Sequence, residues 1–208
     1  MALGKSNQQR HYPTDWYTYS ALLDNGIGAK QIGFALDGAE VSRFTARYRV
    51  AKAFRGIRLD GYSPDTIQGY DSLIRVFLAW SAFEKFLQVV GKTQNSIVPS
   101  LAPYRPDDCL GDLRKDQIAK TFYDFVTPRV NEKHQSRLQE FANGTLTNPT
   151  YLASAVRHLF AHGHLTAHAG GTLTEHVDRV CEILFEFHLK VMDGEFSRIV
   201  RTFRDANL

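Results

Sequence analysis

Four of the eight histidines in this chain fall in one short run, Arg157-His158-Leu159-Phe160-Ala161-His162-Gly163-His164-Leu165-Thr166-Ala167-His168. An imidazole with an ordinary pKa of about 6.5 gives or takes a proton at neutral pH. A guanidinium stays charged and grips a phosphate through two parallel hydrogen bonds. On a helical wheel of about 100° per residue, Leu152, Val156, Leu159 and Phe160 form an apolar stripe. Arg157, His158, Ala161 and His162 lie on the other side, with Ser154 and Ala155 nearby. Arg157, His158 and His162 are therefore expected to face solvent, a groove or a partner helix. Ser154, Ala155 and Ala161 are expected to form a small-residue face that a second copy approaches closely. The pairing suits phosphodiester cleavage: arginine holds the phosphate and histidine moves the proton of an attacking 2′-hydroxyl. On RNA that chemistry needs no metal and no cofactor.

The same residues admit a metal reading. His158 and His162 stand at i and i+4 on one helix face, the spacing of zinc-binding histidine pairs, and His164, His168 or His176 would supply a third ligand. Against it, the glutamate of a His-Glu-x-x-His motif is missing, and Gly163 loosens the helix before His164.

Arg157, a polar residue directly after it, then His162-Gly163 resembles the signature of the HEPN superfamily. That signature is an arginine followed four to six residues later by histidine, on a late helix of an all-helical domain. Ala79-Trp80-Ser81-Ala82-Phe83-Glu84 resembles the early helix of that family, which carries an acidic residue among aromatics, and gives Glu84 a supporting role. The resemblance covers residues 64–204. It implies an all-α domain with the motif near the start of its helix, acting as a metal-independent ribonuclease in toxin–antitoxin, phage-defence or RNA-processing systems. It also implies a homodimer with a composite site, and an antitoxin or regulatory protein as a further partner. Arg157 would clamp the scissile phosphate, His162 would act as acid–base, and His158 would orient one of them. His164 would have a supporting role like Glu84. Other members of the family have lost catalysis, so the alternative reading is a non-catalytic HEPN-like dimer that binds nucleotide or a protein partner. One subgroup carries a modifiable tyrosine two positions after the histidine, where this chain has His164.

The elements that must position these residues are legible as helices. A short helix is expected over 15–23, stopped by Asn25-Gly26. Gly26-Ile27-Gly28 reads as a turn, and 31–37 as extended. A basic helix follows over 39–58. Ser63-Pro64 caps the start of a helix over 64–91, apolar nearly all round and therefore central. Its stripe is expected to run through Ile67, Tyr70, Ile74, Phe77 and Leu78. Residues 92–112 read as a long loop, followed by a helix from Leu113 that Pro128 kinks and Asn143-Gly144 ends. Asn148-Pro149 starts the helix bearing Arg157. Thr172-Leu173-Thr174-Glu175 is a capping box for the last helix, on which Cys181 is a core residue. The fold class is all-α: an up-and-down bundle of four or five long helices at 63–208, with residues 1–62 as an N-terminal extension.

Composition sets the outer limits. A chain of 208 residues with 43% hydrophobic residues builds a full core. No apolar run is long enough for a membrane span, the first thirteen residues lack the apolar stretch of a signal peptide, and two cysteines make no disulfide framework. The expectation is a cytoplasmic protein without a membrane partner. The net charge of +3 is only mildly basic. Its basic residues cluster at Arg43, Arg47, Arg49, Lys52, Arg55 and Arg58, where Arg43, Arg47, Arg55 and Arg58 are candidates to bind RNA phosphates.

Overall fold

The computed structural model describes residues 11–115 and 117–207. Among the described residues the regular elements are all helices: α1 (Trp16–Asp24), α2 (Ala29–Ile32), α3 (Gly38–Ala53), α4 (Pro64–Val89), α5 (Val98–Leu101), α6 (Pro106–Lys115), α7 (Gln117–Val126), α8 (Glu132–Ala142), α9 (Thr150–Ala161) and α10 (Thr174–Asn207). Short 3-10 turns occupy Ala102–Tyr104, Thr127–Arg129 and Ala169–Gly171. Among the described residues no helix is long and apolar enough to cross a membrane. The arm expected at residues 1–13 lies outside the described residues up to position 10.

Helix α4 is the centre. Ser63 caps it by accepting from the Thr66 amide, and Pro64 takes the first position, where no amide hydrogen is needed. Its buried face is Leu73, Val76, Trp80, Phe83, Phe86 and Leu87. Against this face α3 packs through Phe44 on Phe86, and α10 through His188 between Trp80 and Phe83. The direction of each neighbour follows from its contacts. Arg47 of α3 meets Ser81 and Glu40 meets Lys85, so α3 is antiparallel to α4. Phe160 meets Phe77 and Arg157 meets Glu84, so α9 is antiparallel as well. Ser72 meets Asp178 and Phe83 meets His188, so α10 runs parallel to α4. Gly69 lets the 165–169 turn cross α4, since a Cβ there would sit 2.6 Å from the Ala167 carbonyl oxygen.

Several expectations are corrected. The stripe Ile67, Tyr70, Ile74, Phe77 and Leu78 is not the buried face of α4; all five are only half-buried. The core takes the adjoining face because α3 and α10 converge there. The basic helix stops at Ala53 and leaves Arg55 and Arg58 beyond its end. Residues 31–37 are not extended: a helical turn ends at Gly33, whose φ of 117° only glycine adopts comfortably. The stretch 92–112 is not a loop, because Val98–Leu101 and Pro106–Lys115 are helical and bury Leu101, Leu110 and Leu113. Thr172 does not cap α10; its hydroxyl is buried without a partner. The segment expected as an extension shares the one core, where Tyr19, Phe34 and Phe44 meet Phe196. Cys181 is fully buried in that core.

His188 is the one fully buried imidazole of this packing. Its Nδ1 lies 2.6 Å from the Leu184 carbonyl oxygen and donates to it, while Nε2 has no partner. Desolvation pulls its pKa down to about 4, against the partial opposition of that hydrogen bond. The folded state therefore excludes a proton that the unfolded chain binds below about pH 6.5. Stability from this residue is complete above that pH and falls as the pH drops towards 4, by about 3 kcal/mol. Thermal unfolding from pH 7 to pH 4 should show a shallower acid loss in His188→Leu than in the parent chain, and identical slopes would contradict this assignment.

Candidate functional site

The Arg157 region is built by the way α9 ends. The amide of His164 donates to the Leu159 carbonyl and that of Gly163 to Phe160, at 2.9 and 3.1 Å, with Gly163 at φ 72°. This is the reversal that satisfies orphan carbonyls at a helix end through a left-handed glycine. It makes His162 the last residue of the helical path and turns His164 away from it. The motif thus sits at the C-terminal end of its helix, whereas the family resemblance placed it near the start.

Around that end three elements bring polar groups together. On α9, Arg157 is 36% exposed and its Nη2 lies 3.8 Å from Glu84 Oε2 on α4, itself 44% exposed. At this separation and exposure the pair contributes little to stability and is readily exchanged for another anion. The His158 ring meets the His162 ring edge to face, with centroids 4.7 Å apart. On its other side His158 stacks on His134 of α8 at 5.3 Å and 22°. Burial first, then His162, Arg157 and His164, hold His158 below the usual imidazole range, so it is a neutral base at pH 7. His134 is lowered too, by burial, His158 and Lys133 in that order.

His134 was not singled out from sequence. It lies far from the motif, and nothing in its local spacing marks it; only the packing of α8 against α9 brings it in. Glu84, chosen from its place among aromatics, does meet Arg157. His164 is exposed, beyond the last residue of the helix, and near enough to help lower the His158 pKa. His168 pairs with Thr66 at 3.2 Å and His176 lies 3.6 Å from Glu175, so neither joins His158 and His162 as a third ligand. Among the described residues no group of three or more His, Cys, Asp or Glu side chains is arranged to hold a metal ion.

The small-residue face is corrected. Ser154 and Ala155 are buried within the chain, Ser154 bonding His134 at 2.9 Å, and only Ala161 is exposed. α8 covers what the wheel left open.

The basic residues divide. Arg47 is exposed, reaches the Ser81 carbonyl oxygen at 3.3 Å, and so stands one turn of α4 from Glu84. Arg43 is paired with Glu40, which also holds Lys85. Arg55 turns back on the carbonyls of Lys52 and Phe54, and Arg58 lies 3.4 Å from Asp60. Arg49 covers the Tyr12 ring at 4.1 Å. A cleft of about 880 Å³ between α3, α6 and α10 contains none of the Arg157 group. Its charges are mixed, Lys52, Arg55 and Lys190 facing Asp108, Glu186 and Asp193.

Comparison with family models, with curated proteins and with solved structures finds no match to this chain.

Proposed function

We propose that the chain is an RNA endonuclease of the HEPN kind that acts without a metal ion and works as a homodimer. What carries the reading is one juxtaposition: a half-exposed guanidinium in a weak ion pair beside His158, which is held neutral and carries the His162 ring against its own. Arg157 takes the scissile phosphate in exchange for Glu84, and its planar fork matches two phosphate oxygens. The 2′-oxygen attacks phosphorus, the P–O2′ bond forms and the P–O5′ bond breaks. His162, the exposed ring, accepts the 2′-hydroxyl proton and returns it to the departing 5′-oxygen, leaving a 2′,3′-cyclic phosphate. His158 orients His162 from its edge. Arg47 continues the cationic surface along α4 and holds a neighbouring phosphate. Arg55 and Arg58, off that edge, are not assigned to it.

The homodimer is assigned to α4. Ile67, Tyr70, Ile74 and Phe77 alternate steps of three and four, the spacing of a paired-helix seam, and all are half-buried. None is charged. Phe77 touches Phe160, which is one turn of α9 from Arg157, so a second copy on this stripe places each Arg157 at the rim of the interface.

Three outcomes are expected. Purified protein should cut mixed RNA in EDTA, with His162→Ala slower by about 10² to 10⁴ and Arg157→Lys similarly impaired. Arg47→Glu should weaken RNA binding and reduce its salt slope by about one, while Arg55→Glu leaves the slope unchanged. Inhibition by EDTA with rescue by zinc, or no cleavage by the parent chain, would overturn the reading. In sedimentation, Phe77→Glu should convert a dimer to a monomer; an undisturbed dimer would remove α4 as the interface.

A further inference from the structure

We infer that His134 is a positioning residue of this site, locked as its Nδ1–H tautomer and serving as the flat wall that holds the His158 ring against His162. The tautomer follows from one oxygen. Asn131 caps α8, and its Oδ1 accepts from the His134 amide at 3.1 Å. That same Oδ1 lies 2.9 Å from His134 Nδ1. Because the atom is an acceptor on both contacts, Nδ1 must carry the proton. In the neutral ring Nε2 then has only a lone pair, and it accepts from Ser154 Oγ at 2.9 Å. Both ring nitrogens are occupied by partners on different helices, so the ring can neither rotate nor flip without losing a bond.

The wall is held as firmly as its two helices are. Leu138 and Phe141 anchor α8 in the core, and Arg137 lies over the Tyr151 ring of α9 at 4.8 Å. His158 packs face to face on this ring and meets His162 edge to face, so its rotation is restricted by one ring while it orients the other. The charged and titratable groups around the row are Lys133 on α8, and Arg157, His162 and His164 from α9 and its turn. Glu84 of α4 reaches the row through Arg157. Apart from that one carboxylate, the surrounding groups are cations or become cations, which favours a neutral ring at both His134 and His158.

The consequence for catalysis rests on the ribonuclease reading; the tautomer and the wall do not. Long-range ¹H–¹⁵N correlation of the imidazole nitrogens, with titration from pH 5 to 8, tests the wall directly. In the parent chain His134 should appear as neutral Nδ1–H at pH 7. His158 should titrate below the ordinary imidazole range, move up towards it in His134→Ala, and stay low in His134→Phe, which keeps a flat ring. In RNA cleavage, His134→Ala should lower kcat by about 10- to 100-fold with KM unchanged and shift the acid limb to higher pH, and His134→Phe should recover most of the rate. An Nε2–H or charged His134 in the parent chain, or an unmoved His158 in His134→Ala, would overturn the inference. If those spectra are as expected but the parent chain cuts no RNA, the wall stands and the ribonuclease reading falls.

Discussion

Everything in this molecule is positioned from the buried face of α4. One 26-residue helix offers Leu73, Val76, Trp80, Phe83, Phe86 and Leu87 to the core, where α3 meets Phe86 and α10 meets Trp80 and Phe83. Aromatic rings of this size carry most of the burial energy, and removing one such as Phe83 would cost about 3–5 kcal/mol. Because α3 and α10 dock on that face and α9 docks beside it through Phe77 and Glu84, their directions relative to α4 are fixed. So is the geometry at its outer edge, where Ser81 and Glu84 receive Arg47 and Arg157.

The candidate site is a by-product of that docking together with one helix end. α9 runs antiparallel to α4, so its C-terminal turn arrives beside Glu84. The left-handed Gly163 then stops the helix and leaves His162 at its rim. On the far side of α9, α8 closes over Ser154 and brings His134 under His158. The result is a gradient of exposure along one row of rings, from the half-buried His134 to the exposed His162. In the proposed ribonuclease, proton transfer belongs at the exposed end and orientation at the covered end.

Much of this was legible in the residues. Helix starts at Ser63-Pro64 and the stop at Asn143-Gly144 follow from capping chemistry that is local and strong. The Arg157, His158 and His162 grouping follows from helical periodicity alone. What was missed is non-local. A wheel shows that Ser154 and Ala155 share a side with Arg157, but not that α8 covers them. It shows that α4 is apolar all round, but not which side α3 and α10 choose, which leaves Ile67 and Phe77 half-buried outside the core face. The helical content of 92–112 was hidden by three prolines, two of which, Pro99 and Pro106, fall in helical first turns, where proline is tolerated. His134 carried no local signal, since its role depends on a contact twenty residues away with Ser154.

The central claim, that Arg157 and His162 cleave RNA through its own 2′-hydroxyl, is most directly tested by the ends of the products. RNA cut in EDTA should be analysed by mass spectrometry of the fragments. The account predicts 2′,3′-cyclic phosphate on one fragment and a 5′-hydroxyl on the other, because the attacking oxygen belongs to the RNA. Fragments ending in 3′-hydroxyl and 5′-phosphate would mean that water is the nucleophile, and would contradict it.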